Sequence, residues 1–456
     1  MAIKPKNVEL TASSVEILNS IRNRATPYYK QMIPTAKANT DSIRQIGNVM
    51  MEYEPLQNEF LSALYNRIGR VIITSKMYYN PWAPFKKGLM ELGETVEEVF
   101  VNIAKAHTFN PEKAETEFMK REIPDVRAAF HTMNYQKFYK ATISNDQLRQ
   151  AFLSWQGITD LIAKIVDAMY TAHNYDEFQV TKYMLARNIL NGYLYPVTVP
   201  QISKENAEDI VTEVKAASNN LVYMSTDYNL AGVSTFTDKK DQFIITTARF
   251  DAIMDVNVLA AAFNMDKAEF MGNRVQIDGF DKIDDARMTQ LFADDPNAGY
   301  IPLTTEEKAA LAQVPAIIVD RDYFMIFDNL YNFTEDYNGE GLYWQYWYHA
   351  WKTFSTSPFA NAEIFVPGTP SVTSVTVSPA TATVNKGNML QLNVVVVAES
   401  FAPKSVVWSV DSELSTVSAN GLLTVSPEET KETLTVSATS TFDGEKKGTA
   451  TITVPA

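Results

Sequence analysis

Histidines and acidic clusters are the residues that most often supply metal ligands or general acids and bases. The chain has four histidines, which are His107, His131, His173 and His349. None of them forms the H-E-x-x-H pattern of a zinc helix. The acidic segments Asp278–Asp285 and Asp294–Asp295 offer carboxylate oxygens, but neither follows the alternating ligand pattern of a calcium loop. We therefore expect hydrogen-bonding histidines and solvated acidic loops, without a metal site.

A pair of carboxylates also flanks Arg321. Asp320 and Asp322 could serve a glycosidase, but the arginine between them favours local ion pairing at a strand end. The chain contains no G-x-S-x-G elbow, P-loop or G-x-G-x-x-G sequence. It also has no cysteine, which excludes disulfides, thiol nucleophiles and cysteine-ligated metals. The sequence predicts neither catalytic residues nor a cofactor.

The run Tyr343–Trp351 has aromatic side chains at both odd and even positions. Successive side chains of a strand point to opposite faces, so this run would cover both faces of a sheet. A sugar-stacking platform or a nucleic-acid surface is one interpretation. Because no basic residues are interleaved, a buried strand or a subunit interface is the favoured one.

Composition limits the class of protein. The 456 residues are 46% hydrophobic and 21% charged, which is typical of a globular chain of two or three domains. The net charge of -14 repels phosphate backbones and argues against dedicated nucleic-acid binding. The N-terminus lacks a secretory apolar region, and no window approaches eighteen apolar residues. We expect a protein that folds in a cytoplasm without membrane insertion.

The N-terminal third predicts an arm followed by a hairpin. Residues Ser13–Arg24 fit a short helix, and Pro27, Pro34 and Pro55 then favour an extended arm. Between Arg67 and Lys105 two strand-like runs flank a middle that contains proline and glycine. This pattern predicts a long hairpin.

Helices and strands then follow without regular alternation. A long helix is predicted from Asn145 to His173, and a second from Asp176 to Leu190 that stops at Asn191 and Gly192. Further predicted helices are Ala207–Asn219 and Val256–Phe263, the latter capped by Asp255. Predicted strands are Phe243–Thr246, Arg274–Ile277, Ala316–Val319 and Tyr323–Asp328. The acidic segment Asp278–Thr305 is interpreted as a long surface loop. This mixture favours the α+β class.

The composition changes abruptly at Pro367. From Ser371 to Ala456 short runs of Val and Thr recur at regular spacing, with turn residues between them and no arginine. This pattern is typical of a β-sandwich of about ninety residues. Trp408 is the expected core residue between its sheets. The linker 367–370 is short, so the tail should stay close to the body.

Several segments together resemble a known family. They are Arg67–Gly69, Phe85–Gly88, Phe152–Trp155, Ala262–Met265, Ile277–Phe280, Ile318–Phe324, Gly341–Trp344, Tyr348–Trp351 and Ser357–Ala362. In this order and spacing they resemble the major capsid protein of phi-29-like podophages, and the tail is similar to bacterial immunoglobulin-like group 2 domains. The resemblance covers nearly the whole chain.

The resemblance implies a Hong Kong 97-type capsid fold with an extended-loop hairpin, a spine helix and a C-terminal immunoglobulin-like sandwich. In that fold, residues 1–366 form the capsid body and 371–456 the sandwich. The implied divisions of the body are an arm (1–66), an extended loop (about 67–118), a peripheral domain (about 119–199 and 315–366) and an axial domain (about 200–314).

The implied function is self-assembly into the pentamers and hexamers of an icosahedral or prolate head. Implied partners are further copies of the chain, a scaffolding protein and a portal, and the head encloses double-stranded DNA without reading its sequence. The C-terminal domain would be displayed on the capsid exterior, where host-surface contact becomes possible. The expected localisation is the virion, after synthesis in the host cytoplasm.

A long hairpin cannot bury both of its faces on its own chain, so its apolar residues should meet a neighbouring subunit. The predicted contact residues are Tyr78, Tyr79, Trp82, Phe85, Lys86 and Lys87. The alternative interpretation is a secreted or surface carbohydrate-active protein with an immunoglobulin-like accessory domain, which would use the aromatic run. A virion tail or adhesion protein is a third.

Overall fold

The computed structural model describes residues 14–61, 63, 80–90, 95–110, 121–144, 157–203, 205–253, 273–295 and 299–455. Helices in these ranges are α1 (Ser14–Arg24), α2 (Pro27–Met32), α3 (Thr40–Glu52), α4 (Gly157–Leu190), α5 (Ala207–Asn220), α6 (Ala248–Ile253), α7 (Asp285–Phe292) and α8 (Thr305–Leu311). The prediction of helices at α1 and α5 is confirmed. The predicted helix after Asp255 lies outside the described residues.

The N-terminal arm is helical, which corrects the prediction that its prolines would keep it extended. Pro27 occupies the first turn of α2, where its missing N–H would have no helical partner, and Thr26 caps that helix. Residues 54–61 are also helical, with Pro55 again in the first turn. Proline therefore marks the starts of these helices and does not exclude them.

Helix α4 is continuous from Gly157 to Leu190, so the two helices predicted on either side of residue 175 are one. Polar residues at 173–177 look like a helix boundary in sequence, but His173, Asp176 and Glu177 are buried here, and the two acidic residues bond to other elements. The helix ends where predicted, at Asn191 and Gly192, and Gly192 takes the left-handed φ of +72°.

A four-stranded sheet lies against one side of α4. Its order is β1-β9-β10-β4, formed by β1 (Lys86–Leu89), β4 (Tyr135–Ser144), β9 (Phe324–Asn338) and β10 (Tyr343–Thr356). The arm helices cover this sheet, and Ile43, Ile46 and Phe60 pack there against Tyr346 and Tyr348. This packing forms the first core of the body.

A five-stranded sheet forms the second part of the body, with the order β5-β11-β8-β6-β7. Its strands are β5 (Tyr195–Val199), β6 (Gln242–Thr247), β7 (Arg274–Ile277), β8 (Ala316–Asp320) and β11 (Ala362–Pro367). Helix α5 packs on one face and the second half of α4 on the other. The predicted boundaries near 199 and 315 therefore cut through one sheet, because backbone pairing joins strands from both segments.

The antiparallel hairpin is formed by β2 (Val96–Val101) and β3 (Val126–His131), joined by residues 102–125. The sequence instead predicted that residues 96–103 pair with a strand-like run earlier in the chain. Residues 86–89 do not belong to this hairpin, since β1 pairs in parallel with β9. The strand β2 was predicted correctly, but its partner strand depends on the tertiary structure.

The C-terminal region is an all-β domain with its own core, as predicted. Its strands are β12 (Ser371–Ser378), β13 (Thr381–Thr383), β14 (Met389–Gln391), β15 (Asn393–Glu399), β16 (Val406–Val410), β17 (Thr416–Val417), β18 (Leu422–Thr424), β19 (Thr433–Ser440) and β20 (Lys447–Thr453). Trp408 packs against the core that contains Leu392, Leu434 and Ile452.

This domain also contacts the body away from its linker. Phe401 packs against the core between α4 and the five-stranded sheet. Lys404 donates from Nζ to the carbonyl oxygen of Leu190 over 2.8 Å. That carbonyl lies in the last turn of α4, where a cation is favourable. The C-terminal domain is thus attached at two places.

Candidate assembly surfaces and a buried charge network

Two of the predicted subunit contacts lie inside the subunit. Trp82 is 0% exposed and Phe85 is 1% exposed. Both rings pack on Phe324, and the indole N–H of Trp82 donates to the carbonyl oxygen of Phe178. This corrects the expectation that they face a neighbour, because the turn and short 3-10 helix that carry them are folded between α4 and β9. Tyr78 and Tyr79 lie outside the described residues.

Lys86 and Lys87 meet acidic residues of their own chain. Lys86 Nζ lies 3.1 Å from Asp328 and 3.4 Å from Glu177, and Lys87 pairs with Asp322. Both side chains keep about a quarter of their surface exposed. Contact of these two lysines with a neighbouring subunit stays a prediction.

Lys86 belongs to a charge network beneath the four-stranded sheet. Lys352 of β10 is fully buried, and its Nζ bonds Glu177 of α4, Asp328 of β9 over 2.6 Å and the hydroxyl of Tyr331 over 2.9 Å. Two lysines therefore face two carboxylates. This balance allows Lys352 and Glu177 to be fully buried, since each charge of the network has an opposite partner.

The electrostatics of the network follow from burial and pairing. Burial alone would lower the pKa of Lys352, but Glu177 and Asp328 outweigh it and raise that pKa. Burial raises the pKa of Asp328, yet Lys352 and Lys86 prevail and hold it at about 2. Burial, followed by the charge of Lys352, keeps the pKa of His173 well below its usual range. His173 is thus a neutral neighbour of the Lys352–Asp328 ion pair.

A second ion pair fixes α4 to α7. Arg287 binds Asp176 through two nitrogens, at 2.8 and 2.9 Å, and Asp176 also accepts from the hydroxyl of Tyr139. Asp176 is fully buried. The adjacent acidic residues 176 and 177 therefore tie one turn of α4 to α7 and to the four-stranded sheet.

The acidic segment 278–305 is not a simple solvated loop, because it contains α7. Asp278 pairs with the buried Lys182, Asp284 caps α7, and Asp285 pairs with Lys308. Groups of acidic and histidine side chains that could hold a metal ion do not occur in the described part of the chain. These aspartates are structural ion-pair and capping residues.

Exposed apolar residues concentrate on the β2–β3 hairpin. Phe109 is 91% exposed and Ile123 is 89% exposed in the connecting segment. On the outer face of the two strands the exposed apolar residues are Val99, Val101, Val126 and Phe130. Exposed apolar surface of this extent marks an interaction site.

The base of the hairpin is fixed by polar contacts. His131 lies between Ser355, at 2.8 Å from Nδ1, and Glu98, at 3.2 Å from Nε2, and Ser357 donates to Glu98. Phe100 stacks on Phe359 on the same side. One face of the hairpin therefore rests on the body, while the apolar side chains of the other face are exposed.

The aromatic run Tyr343–Trp351 forms the inner strand β10. Trp344, Tyr346 and Tyr348 are buried against the arm helices, which confirms the buried-strand interpretation for that face. The alternate residues lie half-buried on the opposite face, where Lys140 sits over the ring of Trp347. The run thus forms core and does not serve as a stacking platform on its inner face.

The chain matches the Phi29-like phage major capsid protein family over residues 18–366 and the bacterial Ig-like domain, group 2, over residues 371–456. It is 37% identical over 434 residues to the major capsid protein of Bacillus phage B103, covering 93% of this chain and 90% of that protein. The chain belongs to the Phi29-like major capsid protein family.

The other comparisons agree with that membership. The capsid protein is 35% identical over 441 residues to the major capsid protein of Bacillus phage PZA, covering 95% of this chain and 91% of that one. Its fold is similar to a chain in the capsid structure of Staphylococcus phage Andhra, with a TM-score of 0.50, 18% identity, and coverage of 65% and 86% of the two chains. The prediction of a phage capsid fold is confirmed.

The family consists of structural shell proteins, so the capsid protein is not an enzyme and the carbohydrate-active alternative is set aside. Helices with the length and apolarity needed to cross a bilayer are absent from the described ranges.

Sequence reasoning missed the charge network and the exposed hairpin residues. Glu177 and Lys352 are separated by 175 positions, and nothing local marks them as partners. The apolar alternation of β2 was recognised, but the partner strand β3 was not. A charged residue in an otherwise apolar strand, as at Lys352, is the signal that could have indicated a buried ion pair.

Proposed function

We propose that copies of this capsid protein assemble into the pentamers and hexamers of a short-tailed phage head that encloses double-stranded DNA. The observation that carries this proposal is the β2–β3 hairpin, whose exposed apolar side chains are not covered by the described residues of their own chain. Burial of apolar surface is the main favourable term in most protein association. A neighbouring subunit would supply that cover.

The hairpin is suited to this role because the body holds its base while the side chains of Phe109 and Ile123 stay exposed. His131, Glu98 and Ser355 hold its base, and Phe100 packs on Phe359. A fixed base reduces the conformational entropy lost when the far end binds. The interior charges are balanced within the subunit, so assembly does not depend on pairing them.

Shell assembly involves a scaffolding protein and a portal as partners, in the host cytoplasm. The C-terminal domain stands on the exterior of the head, as its separate core and its attachment at the end of the body allow. The DNA is enclosed without sequence-specific contacts, in keeping with a net charge of -14.

Electron microscopy of the full chain, expressed with its scaffolding protein, tests this proposal. Regular shells are expected from the natural chain, and serine at both Phe109 and Ile123 should leave a folded subunit that does not form them. Serine at Met389, which is 63% exposed on the C-terminal domain, is the matched control and should assemble normally. Normal shells from the hairpin variant would remove the hairpin from the assembly mechanism.

A further inference from the structure

A cleft of about 780 Å³ lies between the C-terminal domain and the body. Its body wall includes Tyr193, Tyr195 and Tyr228, and its other wall includes Val407 and Phe442 of the C-terminal domain. This volume is within the range of about 300–1,000 Å³ typical of small-molecule sites. The shell interactions proposed above do not require the cleft.

The walls are fixed relative to each other. Lys404 bonds Leu190, and a side-chain carbon at Gly192 would lie only 2.8 Å from the carbonyl oxygen of Ala402, so the two backbones are in close contact there. Phe401 packs into the body beside this contact. The cleft is therefore a preformed cavity with a defined width.

Three phenol groups line the cleft without partners. The hydroxyls of Tyr193, Tyr195 and Tyr228 make no hydrogen bond within the described part of the chain, although Tyr195 and Tyr228 pack edge to face at 5.1 Å. Burial, followed by the charge of Asp227, raises the pKa of Tyr195, so its phenol stays protonated. Asp227 is exposed in the same cleft. The site thus combines aromatic rings with free hydroxyl donors and a carboxylate acceptor.

The charges in the cleft disfavour anionic ligands. Arg127 is the cation among the described residues that line it, and this guanidinium is already bonded to Asp125 and to the carbonyl oxygen of Ala231. Asp227 adds a negative charge. A phosphate, sulfate or uronate would meet an uncompensated carboxylate, whereas a neutral polyhydroxyl ligand would find donors, acceptors and ring faces.

We propose that this cleft binds a neutral oligosaccharide, with Tyr193 and Tyr228 contacting the sugar rings and Asp227 accepting from sugar hydroxyls. Aromatic side chains supply flat apolar area at a low entropy cost, and their hydroxyls orient the ligand. Many copies on one shell would convert weak single-site affinity into firm attachment.

Binding is tested on the unassembled full-length chain, so a failure to form shells does not bear on the result. The probes are cellotetraose, maltotetraose and tetra-N-acetylchitotetraose, with tetragalacturonic acid as the anionic probe of the same length. Saturation-transfer NMR detects binding, and calorimetric titration gives Kd. We expect at least one neutral probe to bind and the anionic probe not to bind.

Three variants locate the site. Tyr193→Ala should weaken binding at least about tenfold, which corresponds to about 1.4 kcal/mol. Tyr228→Phe keeps the packed ring and removes only the hydroxyl, so a smaller, two- to fivefold loss is expected. Tyr223→Ala removes a tyrosine that is 71% exposed outside the cleft and should bind like the natural chain.

Three outcomes would overturn the proposal. They are no saturation transfer to any neutral probe at 10 mM, unchanged affinity in Tyr193→Ala, or equal binding of the anionic probe. Thermal unfolding of each variant confirms that the site is intact when affinity is compared.

Discussion

Replacement of Lys352 by methionine tests the buried charge network directly. Methionine keeps most of the side-chain volume and removes the charge, so Lys86 alone remains to balance Glu177 and Asp328. Leaving one buried charge without a partner costs about 3–5 kcal/mol. Lys352 and Glu177 are at most 1% exposed, which places the pair at the strongly desolvated end of that range.

The assay is calorimetric unfolding of the purified, unassembled chain. For a body of about 350 residues the unfolding entropy is about 0.7 kcal/mol per kelvin, so Tm of the body should fall by about 4–7 °C. Combining Lys352→Met with Glu177→Gln removes the surplus negative charge and should recover about half of that loss. Lys431→Met, which breaks a pair exposed by nearly half on both sides, is the control and should cost at most about 1 kcal/mol.

The same variant has a signature in pH. The pKa of Asp328 lies at about 2 in the folded chain, below its usual value of 3.8. Its pairing therefore stabilises the fold above pH 3.8, by about 2 kcal/mol, and this contribution is lost as pH falls through 2. Lys352→Met should reduce this dependence between pH 4 and pH 2. A loss of unfolding free energy no larger than that of Lys431→Met would refute the desolvated network.

Three further predictions concern stability. Glu363 is 1% exposed with one carboxylate oxygen unpaired, and burial raises its pKa to about 8, so its ionisation destabilises the fold as pH rises from 4.5 to 8. At pH 8, Glu363→Gln should stabilise the fold by roughly 3–5 kcal/mol and so raise Tm by several degrees, whereas Tm at pH 4.5 should change little. Equal shifts of Tm at both pH values would contradict this. In Gly192→Ala the new methyl group would clash with the carbonyl oxygen of Ala402, so this variant should have a lower Tm than Gly232→Ala. Gly232 has a similar positive φ but open space around it, so both variants share the backbone strain and only the first has the clash. Calorimetry of both variants separates the two effects. A chain that stops at Pro367 should keep a folded body, because the body has its own cores. Its Tm should be about 1–3 °C lower, because the contacts of Phe401 and Lys404 are lost. Circular dichroism and calorimetry check this, and aggregation of the truncated body would count against it.

Local patterns were sufficient where a segment's structure depends on its own residues. The helix Ala207–Asn220 and the strand Arg274–Ile277 were predicted closely because periodicity and flanking residues point to one conformation. The prolines of the arm do not reveal its helices, since the same residue can interrupt a helix or begin one. Polar residues at 173–177 suggested a break in α4 because partners such as Arg287 and Lys352 lie more than a hundred positions away.

By itself, the sequence determined the α+β class, the β-sandwich after Pro367, the lack of cysteine chemistry and the family resemblance. Only the tertiary structure decided that Trp82 and Phe85 are core residues, that β2 pairs with β3, and that Lys352 lies between two carboxylates. The physical reason is that propensity and periodicity act over a few residues. Burial, strand partners and ion pairs depend instead on segments brought together from distant parts of the chain.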